Sequence, residues 1–177
     1  KIEIVNSTDK EKREKYVKHL YKKLQREGQL ERDVDRLVRN DRIAWGSSMI
    51  ACKDADAMVT GNIRHYAASI EKLKKVVDPR PGEEIFGMTM INSKGKTILV
   101  ADTNVKDFPS AQRLVNVSKS CVRVARLFGF DPKVAFLSHS TFGKPISKNT
   151  KHVRDAIDLL KKEKVDFDFD GEMQPDV

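Results

Sequence analysis

The sequence predicts an α/β chain with a mainly parallel sheet, and three observations carry that expectation. Four short apolar runs each end abruptly in small, hydroxyl or acidic residues: Ala57-Met58-Val59-Thr60-Gly61, Leu99-Val100-Ala101-Asp102-Thr103, Phe136-Leu137-Ser138-His139-Ser140-Thr141 and Phe167-Asp168-Phe169-Asp170-Gly171-Glu172. Beyond residue 97 such runs alternate with amphipathic helical patterns, the order of a sheet with right-handed crossovers. Asp78-Pro79-Arg80-Pro81-Gly82 then interrupts any helix, because two prolines and a glycine cannot continue one. A buried strand is apolar along its length while its carboxyl tip can carry polar groups into a crevice, where ligands of open α/β sheets bind.

Residues 2–5 read as a short strand. Ser7-Thr8-Asp9 supplies an N-cap for a helix running to residue 27 and closed by Gly28, with Tyr16, Leu20 and Leu24 as its thin apolar stripe. A short helix over 31–39 and a more apolar one over 42–52 follow. In the second, Trp45, Met49 and Ile50 form the buried side, and Gly46, Ser47 and Ser48 permit close packing. Met58 and Val59 read as a brief buried strand, and a helix resumes after Gly61-Asn62 to residue 76 with Ile70 and Leu73 inward. The Pro79-Arg80-Pro81-Gly82 break divides the chain into 1–80, part of a first α/β lobe, and 81–177, a second. Strands over 85–91 and 97–101 join in a hairpin at Asn92-Ser93-Lys94-Gly95. A helix over 110–128 places Leu114, Val117, Cys121, Val124 and Phe128 on one face, with Gly129 as its cap. A strand over 134–137, a helix over 149–162 with Val153, Ala156, Ile157 and Leu160 inward, and a strand over 167–169 complete the pattern.

Of the 177 residues, 39% are hydrophobic and 34% charged, and no apolar run approaches the roughly 20 residues of a membrane span. No membrane partner is expected. The chain opens on Lys1-Ile2-Glu3-Ile4, without Met or a signal-peptide core, and is expected to be a fragment. Its two cysteines, Cys52 and Cys121, lie on separate helices without metal-ligand spacing, which points to small buried side chains in a reducing, cytoplasmic protein. The net charge of +8 is spread over helix faces among acidic residues, so a solvated surface is expected rather than a nucleic-acid partner, with a phosphate-bearing small molecule as the second reading.

Candidate site residues cluster at the strand tips. Asp102, followed by Thr103 and Asn104, either orients a ligand or backbone or satisfies loop amides. Ser138, Ser140, Thr141 and Gly143 can present hydroxyl and backbone N–H groups to an anion. His139, between the serines, reads as a surface or packing residue, and no Gly-x-Ser-x-Gly elbow supports a triad. After the Gly61 tip come Asn62, Arg64 and His65, where the Arg64 guanidinium either clamps a phosphate or carboxylate bidentately or pairs with a helix carboxylate. Asp168, Asp170 and Glu172 could together hold Mg²⁺, but the Gly171 bend and the lack of a second acidic centre argue against it, so no metal ligands are assigned. No Gly-x-Gly-x-x-Gly or Walker motif occurs.

Taken together, Asp54-Ala55-Asp56-Ala57-Met58-Val59-Thr60-Gly61, Val100-Ala101-Asp102-Thr103, Leu137-Ser138-His139-Ser140-Thr141-Phe142-Gly143 and Asp170-Gly171-Glu172-Met173-Gln174 resemble the phosphate acetyltransferase/butyryltransferase family in order and spacing, over nearly the whole chain from Ile4. Gly61-Asn62-Ile63-Arg64-His65-Tyr66, Val77-Asp78-Pro79-Arg80-Pro81-Gly82 and Ser140-Thr141-Phe142-Gly143 are more similar to the C-terminal domain of bacterial NADP-dependent malic enzymes. The resemblance implies a three-layer αβα fold in two lobes, as in phosphotransacetylases and isocitrate dehydrogenase-like proteins, with a cleft for CoA and acyl phosphate. It implies a domain that binds acetyl-CoA or CoA as a regulator and aids homo-oligomer assembly. NADP and a divalent metal would belong to the parent's other domain. The family's catalytic segment is expected beyond Val177, so the catalytic residues are unknown and this segment is not expected to be active alone. What carries over is the loop after Gly61, above all Arg64, and the tip at 138–143, with Arg64 and the Ser140-Thr141 backbone reaching phosphate or the CoA pyrophosphate. Asp102, Asp170 and Glu172 share the same edge. An active phosphate acyltransferase and a purely structural oligomerisation module remain the alternatives.

Overall fold

A computed structural model describes residues 2–61, 63–102, 109–145 and 150–177. The chain divides into two compact units, Lys1–Asp78 and Pro79–Val177.

The first unit is helical. Helix α1 (Lys10–Leu24) starts where the Asp9 carboxylate accepts the Lys12 N–H at 3.2 Å. Lys22 and Lys23 in its last turn favour the negative end of the dipole. A single 3₁₀ turn, Gln25–Glu27, extends it, and Gly28 at φ 80° supplies the left-handed residue that ends it. Helices α2 (Glu31–Asn40), α3 (Arg42–Ala51) and α4 (Tyr66–Val76) follow. Tyr16, Leu20, Leu24, Val34, Val38, Ala44, Trp45 and Val76 form the core. In it the Tyr16 and Trp45 rings meet edge to face, with centroids 5.0 Å apart.

Two expectations for this unit fail for one reason. Residues 2–5 and Met58-Val59 form no strand, and Ile2, Ile4 and Val59 stand 93%, 92% and 101% exposed. A strand exists by pairing, and no described segment offers these residues a ladder. On α3 the buried face is Ile43, Ala44, Trp45, Ser47 and Ser48, with Met49 and Ile50 only half-buried. The serines can turn inward because their hydroxyls donate to the Ile43 and Ala44 carbonyls at 2.6 and 2.7 Å. Gly46 is the close-packing position expected, since an added Cβ would lie 2.5 Å from Met58 Sδ. On α4, Ser69 and Val76 are buried while Ile70 and Leu73 are half-buried.

Among the described residues, the strands all lie in the second unit. β1 (Met88–Ser93) and β2 (Lys96–Ala101) form an antiparallel hairpin in the register Ser93↔Lys96. Lys94 and Gly95, at φ 48° and 75°, make the two-residue turn that matches strand twist. The first strand begins three residues later than expected, because Glu84 and Ile85 are drawn instead to Arg113. Helix α5 (Ala111–Leu127) is capped by Ser110, whose hydroxyl accepts the Arg113 N–H. β3 (Val134–Leu137), α6 (Lys151–Glu163) and β4 (Phe169–Met173) form a βαβ unit with β3 and β4 parallel. The described strands thus make one antiparallel and one parallel pair. A groove of about 440 Å³ over α5, lined by Leu99, Leu114, Cys121 and Ala135, lies between β2 and β3.

The α6 residues Val153, Ala156, Ile157 and Leu160 pack as expected against Val115 and Phe136. The α5 stripe is rotated from expectation. Val115, Val117, Ser118, Val122 and Ala125 are buried, while Phe128, at the C-cap beyond the last turn, is 59% exposed. The last strand does not stop at residue 169. Its ladder continues through Ala135↔Asp170 and Phe136↔Gly171, and shifts register between Phe136 and Leu137. Asp170, Gly171 and Glu172 therefore lie inside β4 rather than past its tip. Gly171 permits this, because a Cβ there would stand 2.7 Å from the Phe136 carbonyl oxygen.

Candidate functional site

In the first unit the polar residues gather on Asp41, which the sequence reading did not single out. Its position before α3 makes it an N-cap. Oδ1 accepts the Ile43 and Ala44 N–H groups at 2.8 and 3.2 Å. The other oxygen, Oδ2, accepts from Arg64 Nη1 at 3.0 Å and from Lys72 Nζ. Of the two readings of Arg64, pairing with a helix carboxylate is the one realised. Burial alone would raise the Asp41 carboxyl, but the donors from Lys72, Ala44, Ile43 and Arg64 outweigh it and hold the group below the usual carboxylate range. The two cations remain 38% and 35% exposed, while the Asp41 side chain is 11% exposed. Beside them opens a cavity of about 240 Å³ lined by Ile43, Arg64, His65, Ala68, Ser69 and Lys72. His65 holds the N-cap position of α4 without a side-chain capping bond. Asn62 lies outside the described residues.

In the second unit the Ser138–Gly143 tip encloses a carboxylate of the chain itself. Glu172, 1% exposed, accepts on Oε1 from Ser140 Oγ at 2.7 Å, the Gly143 N–H at 3.1 Å and Arg154 Nη1 at 2.8 Å. Its Oε2 is buried with no hydrogen-bond partner among the described residues. Burial pushes this carboxyl up, and the hydrogen bonds from Ser140, Arg154 and Thr150 more than reverse that, leaving it low. The remaining loop groups also have protein partners. The Ser140 N–H donates to Ser138 Oγ, the Thr141 N–H to the Lys144 carbonyl, and the Phe142 N–H to the Glu172 carbonyl. Thr141 Oγ1 accepts the Gln174 N–H, and Gln174 Nε2 donates to the His139 carbonyl at 2.8 Å. The backbone donors of Ser140 and Thr141, expected to face a phosphate, are thus spent on the protein. The loop is clasped to β4 on both sides.

Among the described residues, the partner of Asp102 is the Arg113 guanidinium. The carboxylate takes Arg113 Nε and Nη2 at 2.8 and 3.1 Å, with both side chains 5% exposed. Arg113 also donates to Glu84 and, at 2.8 Å, to the Ile85 carbonyl. The Asp102 hydrogen bond raises Arg113 against its burial, with Glu84 adding to it. Thr103 and Asn104 lie outside the described residues. The three carboxylates of the last strand do not converge. Glu172 is inward, Asp170 is exposed and accepts the Gly171 N–H, and Asp168 reaches Lys133 at 3.4 Å. The register shift beside Glu172 separates it from its alternating neighbours. Among the described residues no group of three His, Cys, Asp or Glu is placed to hold a metal ion, and no helix is long and apolar enough to cross a membrane.

Asp41, Lys72, Arg113 and Arg154 were missed by sequence reasoning. Only Asp41 carried a local signal, as a capping residue before an apolar helix.

Against known proteins, the chain matches the family described as Phosphate acetyl/butaryl transferase over residues 1–177. It is 41% identical over 176 residues to an NADP-dependent malic enzyme of Rhizobium meliloti, covering 99% of this chain and 23% of that protein. It is 30% identical over 142 residues to a phosphate acetyltransferase of Nitratidesulfovibrio vulgaris, covering 80% of this chain and 20% of that protein. A phosphotransacetylase structure from Streptococcus pyogenes superposes with a TM-score of 0.76 at 26% identity, over 94% of this chain and half (50%) of that one. The chain therefore spans about a quarter or less of the curated relatives' length, and its α/β fold is that of phosphotransacetylases.

Proposed function

Because this chain belongs to the Phosphate acetyl/butaryl transferase family, we propose that it is the phosphotransacetylase-like domain of an NADP-dependent malic enzyme. It binds acetyl-CoA or CoA as a regulator and helps subunits assemble, while malate oxidation, NADP and the divalent metal belong to another domain of the parent. The observation that carries this reading is the 41% identity to a malic enzyme of which the chain spans 23%. Calorimetric titration of acetyl-CoA and CoA into the protein tests it, with light scattering to follow the subunit number. Saturable binding supports the regulator, and the absence of binding by either compound overturns it.

The relative named phosphate acetyltransferase favours a second reading, interconversion of acyl-CoA and acyl phosphate. In that reaction a CoA thiolate attacks the acyl carbonyl and phosphate leaves, so the protein must hold a phosphate and stabilise developing negative charge. Formation of acetyl phosphate from acetyl-CoA and inorganic phosphate separates the two readings.

A further inference from the structure

The two strand pairs of the second unit are separate sheets that share α5 as their backing. β2 packs on that helix, and Phe136 of β3 lies in one core cluster with its Val115. β2 has β1 on one side and β3 has β4 on one side, so each keeps an edge with no neighbour among the described residues. Between those edges lies the groove of about 440 Å³, floored by Leu114, Cys121 and Ala125 of α5.

The register fixes which backbone groups face the groove. The closing pair of a two-residue hairpin is hydrogen-bonded, and pairs then alternate between bonded and unbonded. With Ser93↔Lys96 closing the turn, Ile98 and Val100 bond to β1, while Thr97, Leu99 and Ala101 turn their N–H and C=O groups away from it. On β3 the Val134 and Ser138 N–H groups donate to the Asp168 and Met173 carbonyls, so Ala135 and Leu137, of opposite phase, face away from β4. None of these outward groups has another backbone partner among the described residues. Both strands also have the composition of central strands. Ile98-Leu99-Val100-Ala101 and Val134-Ala135-Phe136-Leu137 are apolar at every position, with none of the charges or prolines that guard natural edges. Yet Ile98 is 58% exposed and Leu137 50%.

A slot bounded by two edges takes a strand that is free on both of its own sides. Each of the four described strands already has a neighbour, so a second copy of these residues offers none. The relatives carry ample further chain: the Streptococcus pyogenes phosphotransacetylase is matched over 50% of its length and the Rhizobium meliloti malic enzyme over 23%. We propose that the groove seats one strand from the part of the parent polypeptide outside these 177 residues. That strand pairs with β2 on one side and β3 on the other, and joins the two pairs into one continuous sheet. β2 and β3 are six and four residues long, so the paired stretch spans about 13–20 Å. Its side chains over α5 are apolar, to match Leu114, Cys121 and Ala125. The proposal requires a parent longer than this chain and is independent of CoA binding.

Residue-resolved hydrogen exchange on the full-length parent tests the pairing. The Leu99, Ala101, Ala135 and Leu137 amides should exchange as slowly as those of Ile98, Val100 and Val134, which bond within the described pairs. In the 177-residue chain alone the first set should exchange about a hundredfold or more faster than the second. If the parent keeps that alternation, with the groove-facing amides fast, the proposal is overturned, whether or not the shorter chain folds. Replacing Leu99 with photo-leucine, in an equal mixture of light and isotopically heavy parent, identifies the occupant. Irradiation should join position 99 to a peptide of the same copy outside these 177 residues. A cross-link to the differently labelled copy, to these residues alone, or to no peptide overturns the proposal. Both measurements are made without CoA. Their failure leaves the regulator reading standing, and a failure of CoA to bind leaves the strand reading standing.

Discussion

Replacing Glu172 with alanine removes the one atom on which Ser140, Gly143 and Arg154 converge. Ser140 is fully buried, so its hydroxyl loses its acceptor without gaining water, at about 1–3 kcal/mol. The Gly143 N–H sits in a half-buried residue and loses about 1 kcal/mol. Arg154 is 34% exposed and can turn to solvent, so its loss adds little. With the buried stem of the side chain gone as well, the total is about 3–5 kcal/mol, a large share of the roughly 5–15 kcal/mol that holds a domain folded. Glu172→Gln keeps an acceptor oxygen and should lose about 1–2 kcal/mol, the difference between a charged and a neutral acceptor. Urea unfolding followed by circular dichroism reads both variants. Tryptophan fluorescence does not serve here, because the single tryptophan, Trp45, lies in the first unit. A loss under about 1 kcal/mol for the alanine variant at unchanged m, or equal losses for alanine and glutamine, would refute the view that Glu172 organises the loop.

Asp102→Asn leaves the buried Arg113 with Glu84, which is 43% exposed, as its remaining carboxylate, and should cost about 3–5 kcal/mol by denaturation midpoint. Gly171→Ala places a methyl group 2.7 Å from the Phe136 carbonyl oxygen at φ 140° and should cost more than about 2 kcal/mol, whereas Gly129→Ala, with open space around it, should cost about 1 kcal/mol. Equal effects on melting temperature would speak against the close approach at Gly171. Asp41 and Glu172 both have carboxyls held low in the folded protein, so at acid pH the unfolded chain binds more protons. Their contribution is complete above the unfolded carboxylate pKa of about 4 and is lost as pH falls below it, so melting temperature should hold from pH 7 to 5 and drop at pH 3. An equal melting temperature at pH 7 and pH 3 would contradict that assignment.

Much of the fold was legible because its signals are local. Asp9 before α1, Ser110 before α5, Gly28 after the 3₁₀ turn and Lys94-Gly95 in the hairpin act on backbone groups a few residues away. The inward α6 residues follow from spacing alone. The strand expected at Met58-Val59 shows the limit of such signals, since an apolar run states that it can pair and not that a partner is there. Arg64 was legible as a cation after the Gly61 turn, but whether it met a ligand or a carboxylate was not.

What the sequence determined by itself was the order of the helices and of the strands after residue 88, many of their caps and turns, the break at Pro79, and the polar groups that follow β2 and β3. Tertiary structure alone decided which of those groups meet. Asp41 and Lys72 lie 31 positions apart, Ser140 and Glu172 lie 32 apart, and Arg113 lies 28 from Ile85. No local rule couples residues at such separations. Their pairing follows from how α3 packs on α4, β4 beside β3 and α5 on β2, which places buried charges where they must find partners or stay neutral. That packing turned Ser140 and Gly143 toward Glu172, sealed Asp102 against Arg113, and left the Arg64 and Lys72 cations exposed beside a cavity.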